Sequence, residues 1–325
     1  MEKVDILIEN ANEILTLKGV NKPRKKQDMN NLNIIKNGSI AIKEDKIIDV
    51  GQNLKYDSKF KINANGKIIL PGFVDPHTHV VFSGSREFEL DMKLKGSSYM
   101  DILNSGGGIF YTVNKTRKVT VNNLLKESKI RLDNMLKYGT TTCESKSGYG
   151  LNFDTELKIL KIIKKLNDIH PVDIIPTFLG AHAIPKEFGP EDYVNHIIND
   201  MMPKLSKYAK FCDVFCEEGV FTIDQSRRIL NHGKKAGLIP KIHADEIVDT
   251  GGASLAAEVG AISADHLLKS SEKGLKLMAD KGVIGILLPG TPFTLMMSEY
   301  ADARKMIDMN IPIALASDLN PNCWI

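Results

Sequence analysis

Two histidines one residue apart, His77 and His79, stand in the segment PGFVDPHTHVVFSGSRE, with Arg86 seven residues further on. Residues two apart on an extended strand face the same side, so both imidazoles reach one point. Neutral imidazoles and carboxylates suit a divalent transition metal such as zinc. A lone H-x-H pair does not establish a metal site, because buried histidines with ordinary partners are common. Three further histidines close later apolar runs: His182 in FLGAHAIP, His243 in IPKIHADE and His266 in ISADHL. Asp318 closes another, ALASDLNP. His77, His79, His243 and Asp318 together make a set of three imidazoles and one carboxylate. That set leaves a coordination position for water. A bound ion lowers the pKa of such water from about 15.7 toward about 7. The chemistry to expect is metal-assisted hydrolysis.

These residues act together only if a fold brings them to one rim. From Ile68 onward short apolar runs alternate with stretches of helical period. The predicted strands are IILPGFVD, TTTCESK, VDIIPTFLG, CDVFCE, IPKIHAD, ISADHL, VIGILLPG and IPIALASD. Helices are predicted for VNNLLKESKIRLDNMLKYG, DTELKILKIIKKLND, TIDQSRRILNHGKKAG and KGLKLMADKG, several of which end in the expected glycine stop. Strands alternating with helices in this number predict an α/β fold, a (β/α)8 barrel of the TIM type, with its chemistry on the loops after the strands. No glycine-rich dinucleotide fingerprint follows the first strand, which disfavours an open doubly wound sheet. SGGGIF (Ser105 to Phe110) reads as an active-site loop. His170, His196 and His232 fall on helices or their ends and receive no function. Residues 1–67 read differently, as β-rich runs (VDILIEN, EILTL, GSIAIKED, KIIDVG) of a small β-sandwich unit, with the barrel over 68–325.

Composition narrows the partners. The chain has 325 residues, 42% apolar and 26% charged, with 43 basic against 40 acidic residues and a net charge of +3. That balance is not a nucleic-acid footprint. The cluster KPRKK (Lys22 to Lys26) reads as a solvated loop. No apolar stretch reaches spanning length and no signal-peptide layout opens the chain, so a soluble, cytoplasmic protein with no membrane partner is expected. Cys143, Cys212, Cys216 and Cys323 lack zinc-knuckle spacing, and Cys212 and Cys216 read as ordinary buried thiols on one strand.

PGFVDPHTH resembles the strand-one metal motif of the amidohydrolase superfamily, and the order H-x-H, His, His, Asp is similar to that superfamily's. The small β unit ahead of the barrel resembles it too. HTHVVFSGSREFE, SGGGI, ESKSGYGL, FLGAHAIP, DVFCEEGVF, IHADEI, SADHL and ASDLNPN, which together span most of the chain, resemble the imidazolonepropionase family. The resemblance implies hydrolysis of the ring amide of 4-imidazolone-5-propanoate to N-formimidoyl-L-glutamate, the third step of histidine degradation. It implies His77, His79, His243 and Asp318 as ligands of zinc or iron. No lysine stands where the fourth barrel strand would supply a bridging carbamate, so one ion per chain is implied. The substrate's propanoate calls for a planar cation, and Arg86 fits as its bidentate partner. Tyr149 offers a hydroxyl. His182 resembles the family's substrate-binding histidine. Glu246 and His266 are implied as proton movers, with Asp318 sharing that role and Glu246 also touching substrate. Asn320 resembles a substrate contact. Asn322 and Cys323 stand at substrate-contact positions where many relatives carry small residues.

The family continues beyond the eighth strand with a final helix and with strands that complete the β unit. This sequence ends at Ile325, so the expectation is a fragment or truncated product, a barrel lacking its last helix, with exposed edges that lower stability. The implied partner is a small-molecule substrate, with a homodimer as a candidate assembly. Two rivals are a nucleobase deaminase of the same superfamily and a catalytically dead metal-binding scaffold. Arg86, Tyr149 and SGGGI favour a carboxylate-bearing ring over a flat uncharged base.

Overall fold

The computed structural model describes residues 2–19, 21–97, 101–102 and 105–322. The chain divides into two compact units, Met1–Gly72 and Phe73–Ile325. In the first, β1 (Lys3–Leu15), β2 (Ile34–Lys43), β3 (Lys46–Gln52) and β4 (Asp57–Asn63) form a sheet in the order β3-β2-β1-β4, and β5 (Ile68–Ile69) also pairs with β1. VDILIEN and EILTL, expected as two strands, are the single strand β1. Its register against β2 shifts between Ile8 and Ala11, with Asn10 in left-handed backbone at φ 63°. Asparagine tolerates that conformation, so the sequence break is a bulge and not a turn. The strand β4 was not expected, because most of its side chains are exposed and no buried apolar run marks it. Within KPRKK, Arg24 donates to the carbonyls of Leu17 and Asn31.

The second unit is the expected barrel. Its parallel strands are β6 (Phe73–Asp75), β7 (Thr140–Lys146), β8 (Asp173–Ala181), β9 (Phe211–Cys216), β10 (Ile239–Ala244), β11 (Ser263–His266), β12 (Ile284–Leu287) and β13 (Ile313–Leu315). Each pairs with its sequence neighbour from β6 to β13. The expected strand IILPGFVD is divided: Ile68–Ile69 pair with β1, and only Phe73–Asp75 join the barrel. Pro71 lies in the gap and has no N–H to give a ladder. The seam between first and last strands closes just past their ends. Thr78 bridges Leu319, His79 N donates to Leu319 O at 2.7 Å, and Asp318 N donates to His77 O at 3.1 Å.

The four predicted helices appear as Val121–Lys137, Phe153–Ile169, Ile223–Lys235 and Glu272–Lys281. Asn152 caps the second through Thr155 N, and Thr222 with Gln225 forms a reciprocal capping box on the third. Such caps are each worth about 1 kcal/mol. The helices bury apolar faces, for example Ile159, Leu160, Ile163 and Leu166, in one contiguous core. That packing holds the strand ends, and hence the loops after them, in register.

Candidate active site

His77 and His79 follow β6, where the seam bonds above hold their backbone to Asp318 and Leu319. His243 is on β10, His266 ends β11, and Asp318 follows β13. One ring nitrogen from each of His77, His79 and His243 lies within 4.8 Å of the others, as do one ring nitrogen from each of His77 and His266 and a carboxylate oxygen of Asp318. The Nε2 atoms of His77 and His79 stand 3.5 and 3.7 Å from the same Asp318 Oδ1. The four residues read as ligands from sequence therefore converge, and His266 joins them at the same point. His266 and Asp318 hold left-handed backbone, at φ 77° and 51°. Such conformations cost of order 1–3 kcal/mol each and persist where packing over-determines them.

The electrostatics suit a cation. His77 Nε2 and both ring nitrogens of His266 are buried without a hydrogen-bond partner. Burial, followed by the charge of Lys146 or neighbouring imidazoles, holds His77, His79 and His266 well below the usual histidine pKa, leaving bare lone pairs. Burial pushes the Asp318 carboxyl up, against hydrogen bonds from Thr291 and Asn320. His243 goes the other way: burial opposes its charge, but Asp213 outweighs it and raises the ring. Orphaned buried nitrogens around a buried carboxylate are what a divalent ion would satisfy, so these residues fit one.

Above them opens a cavity of about 280 Å³. His79, His182, His243, Glu246, His266 and Asp318 line it, with Arg86, Tyr149, Asn320 and Asn322. His77 lies beneath and is fully buried. His182 stacks on His79 at 5.0 Å between centroids and 14° between planes. Its Nδ1 donates to Gly148 O at 3.1 Å, which leaves Nε2 as an acceptor. Burial and His243 lower its pKa to about 3. Glu246 Oε2 is 3.7 Å from His266 Nε2, and burial together with Asp318 raises the Glu246 carboxyl to about 8. Tyr149 is almost fully buried. Arg86 donates its backbone N–H to Pro321 O, and its Nε is buried without a partner. Among the described residues Glu89 pairs with it at 3.9 Å, and Glu89 accepts from Gly108 N at 2.6 Å, inside SGGGIF. Cys323 lies outside the described residues. The unassigned histidines sit elsewhere: His170 is 3.1 Å from Asp133, His196 2.8 Å from Asp200, and His232 donates to Arg228 O.

Sequence reasoning missed the layer below the rings. Glu144, Lys146, Asp213, Lys241 and Asp265 are buried inside the barrel, where branched apolar side chains usually pack. Burial opposes the Lys146 charge, but Asp213, Glu144 and Asp265 hold its pKa above the usual value. Burial likewise opposes the Asp213 charge, and His243, Lys146 and Lys241 hold that carboxyl well below its usual range. The available signal was charge at alternate positions of strands expected to be buried on both faces, as in ESK and KIH.

With this geometry in place, comparison with known proteins is decisive. The imidazolonepropionase of Alkaliphilus metalliredigens is 53% identical over 328 residues, covering 98% of this chain and 78% of the relative. The chain belongs to the imidazolonepropionase family. Imidazolonepropionases of Geobacillus kaustophilus and Clostridium tetani are 52% and 49% identical, again covering 97% and 99% of this chain and 77% and 78% of their own lengths. No family model matches the chain. Among solved structures, an adenosine deaminase from Xanthomonas campestris with bound zinc superposes with a TM-score of 0.62 at 13% identity, covering 98% of this chain and 70% of that one. A zinc-complexed atrazine chlorohydrolase from Arthrobacter aurescens gives 0.61 at 14% identity, covering 98% and 72%. These neighbours share this chain's barrel fold.

Proposed function

We propose that this chain hydrolyses the ring amide of 4-imidazolone-5-propanoate to N-formimidoyl-L-glutamate in histidine degradation, with one ion per chain, zinc or iron, held by His77, His79, His243 and Asp318. The observation that carries this reading is the convergence of three imidazoles and Asp318 beside a cavity that also holds a guanidinium with a buried, unpartnered Nε. Zinc in two fold neighbours supports the choice of metal.

An ion held by His77, His79, His243 and Asp318 would supply Lewis acidity, lowering the pKa of water toward neutrality. The chain's own groups do the rest. Arg86 binds the propanoate through its planar fork. His182, neutral and fixed by Gly148, accepts a ring N–H and orients the imidazolone. Tyr149, Asn320 and Asn322 line the remaining wall. Glu246 and His266, 3.7 Å apart, move protons between the attacking water and the leaving nitrogen. Proton transfer of this kind is worth about 10²- to 10⁴-fold. Asp318 shares in it from its place beside His77 and His79.

Metal analysis paired with an assay of the purified chain on imidazolone propanoate, guanine, cytosine and adenine tests this. Ring opening of the imidazolone with one equivalent of metal is the expected result. Ammonia release from a base without ring opening would make it a deaminase, and bound metal with no turnover of any of these would make it a scaffold.

A further inference from the structure

Lys146 is fully buried on β7. Its ammonium donates to Asp213 Oδ2 at 2.6 Å and to Glu144 Oε1 at 3.0 Å, and lies 3.5 Å from Asp265 Oδ2. The same two aspartate oxygens face two of the converging rings. Asp265 Oδ2 is 2.6 Å from His77 Nδ1 in a hydrogen bond, and Asp213 Oδ2 is 3.1 Å from His243 Nδ1, within reach but off a hydrogen bond's axis. Lys241 closes the layer from the other side, donating to Glu144 Oε2 at 2.7 Å and Pro76 O at 2.9 Å. One ammonium thus joins two carboxylate–imidazole pairs that reach it from four different parts of the barrel.

We propose that Lys146 is a positioning residue for the metal centre, tying Asp213 and Asp265 together so that they accept the Nδ1–H groups of His243 and His77 and turn both Nε2 lone pairs toward the ion. The inference rests on the metal-site reading and deepens it. An imidazole ligates through whichever nitrogen its other hydrogen bond leaves bare, so the acceptor behind the ring sets the ligand in front of it. Two buried carboxylates pointing into one layer repel and would rotate or take up protons unless a cation sits between them. Lys146 supplies that cation at hydrogen-bond distance from Asp213 and 3.5 Å from Asp265, to which Lys241 stands equally close, and of the two ammoniums only Lys146 also bonds Asp213. Glu144 takes the ammonium's third contact, and through Thr177, which donates to it, anchors the layer to β8.

The test uses a Glu144→Gln/Lys146→Met double variant, which removes one buried charge of each sign and keeps the total unchanged. Zinc dissociation constants come from chelator competition, and cobalt-loaded protein reports ligand geometry through its visible bands. Groups behind metal-bound histidines typically contribute 10- to 100-fold in affinity. The folded variant should bind zinc at least about tenfold more weakly, with shifted cobalt bands. Binding within about twofold of the unsubstituted chain, with unchanged bands, would overturn the role of Lys146 and leave the metal site standing. Failure of the unsubstituted chain to bind either ion would remove the metal site itself and this inference with it. A second readout needs no variant: in the zinc-loaded chain, nitrogen NMR should show protonated Nδ1 on His77 and His243. A bare Nδ1 on either ring would overturn the proposal even if the variant did not fold.

Discussion

Arg86 lines the cavity with its Nε buried and without a hydrogen-bond partner among the described residues, and Glu89 stands 3.9 Å from its guanidinium. At that distance the pair is not a hydrogen bond, and Glu89 is already engaged by Gly108. A ligand carboxylate would satisfy the guanidinium better than Glu89 does. A hydrogen bond to a charged group contributes about 1.5–3 kcal/mol, so Arg86→Ala should raise KM for the imidazolone about 10- to 100-fold. Because the propanoate is held alike before and during ring opening, kcat should change much less. Steady-state kinetics decide it, and an unaltered KM would remove the clamp. Glu246 shows the opposite kind of tuning. A carboxyl raised to about 8 by burial and by Asp318 is placed to carry a proton near neutral pH.

Between the residues and the barrel stands the turn after β7. Gly148, Gly150 and Leu151 point their N–H groups at the buried Glu156 carboxylate, on the helix Phe153–Ile169. Glu156 folds this turn inward and so sets Tyr149 and the carbonyl that orients His182. Gly148 is at φ 107°, and a Cβ there would meet Leu179 O at 2.8 Å and His182 Nδ1 at 2.9 Å. Gly237 is also left-handed, at φ 85°, but open space surrounds it. Either Gly→Ala change pays the backbone strain, of order 1–2 kcal/mol. Only Gly148→Ala must also move a backbone carbonyl or a ring of the cavity wall. Thermal melts and kinetics of the two variants should show both destabilised and Gly148→Ala alone losing about tenfold or more in kcat/KM. Equal activity losses in the two would mean that the turn does not position the site.

Across the whole molecule, the barrel unit has one contiguous core, and Cys143, Cys212 and Cys216 sit in it with 0% exposure. Burial pushes all three thiols upward, so little thiolate exists at pH 8. Iodoacetamide should leave these three unlabelled in native protein and label them together as denaturant crosses the unfolding transition. Labelling of any one in the native state, at the rate of a free thiol, would mean that its strand opens separately. Among the described residues no helix is long and apolar enough to cross a membrane.

The barrel was legible because alternation of short apolar runs with helical periods is a local pattern, and the rim residues His77, His79, His182, His243, His266 and Asp318 were legible because they end those runs. Local pattern failed where it met geometry: one bulged strand read as two, one proline-broken run read as a single strand, and an exposed strand without apolar signal went unseen. What tertiary structure alone decided is the charged layer beneath the rings. Lys146 meets Asp213 across 67 residues, Lys241 meets Glu144 across 97, and His77 meets Asp265 across 188. No local periodicity encodes such pairings, because closing the cylinder brings distant strands side by side and only then chooses which buried charge each partner neutralises.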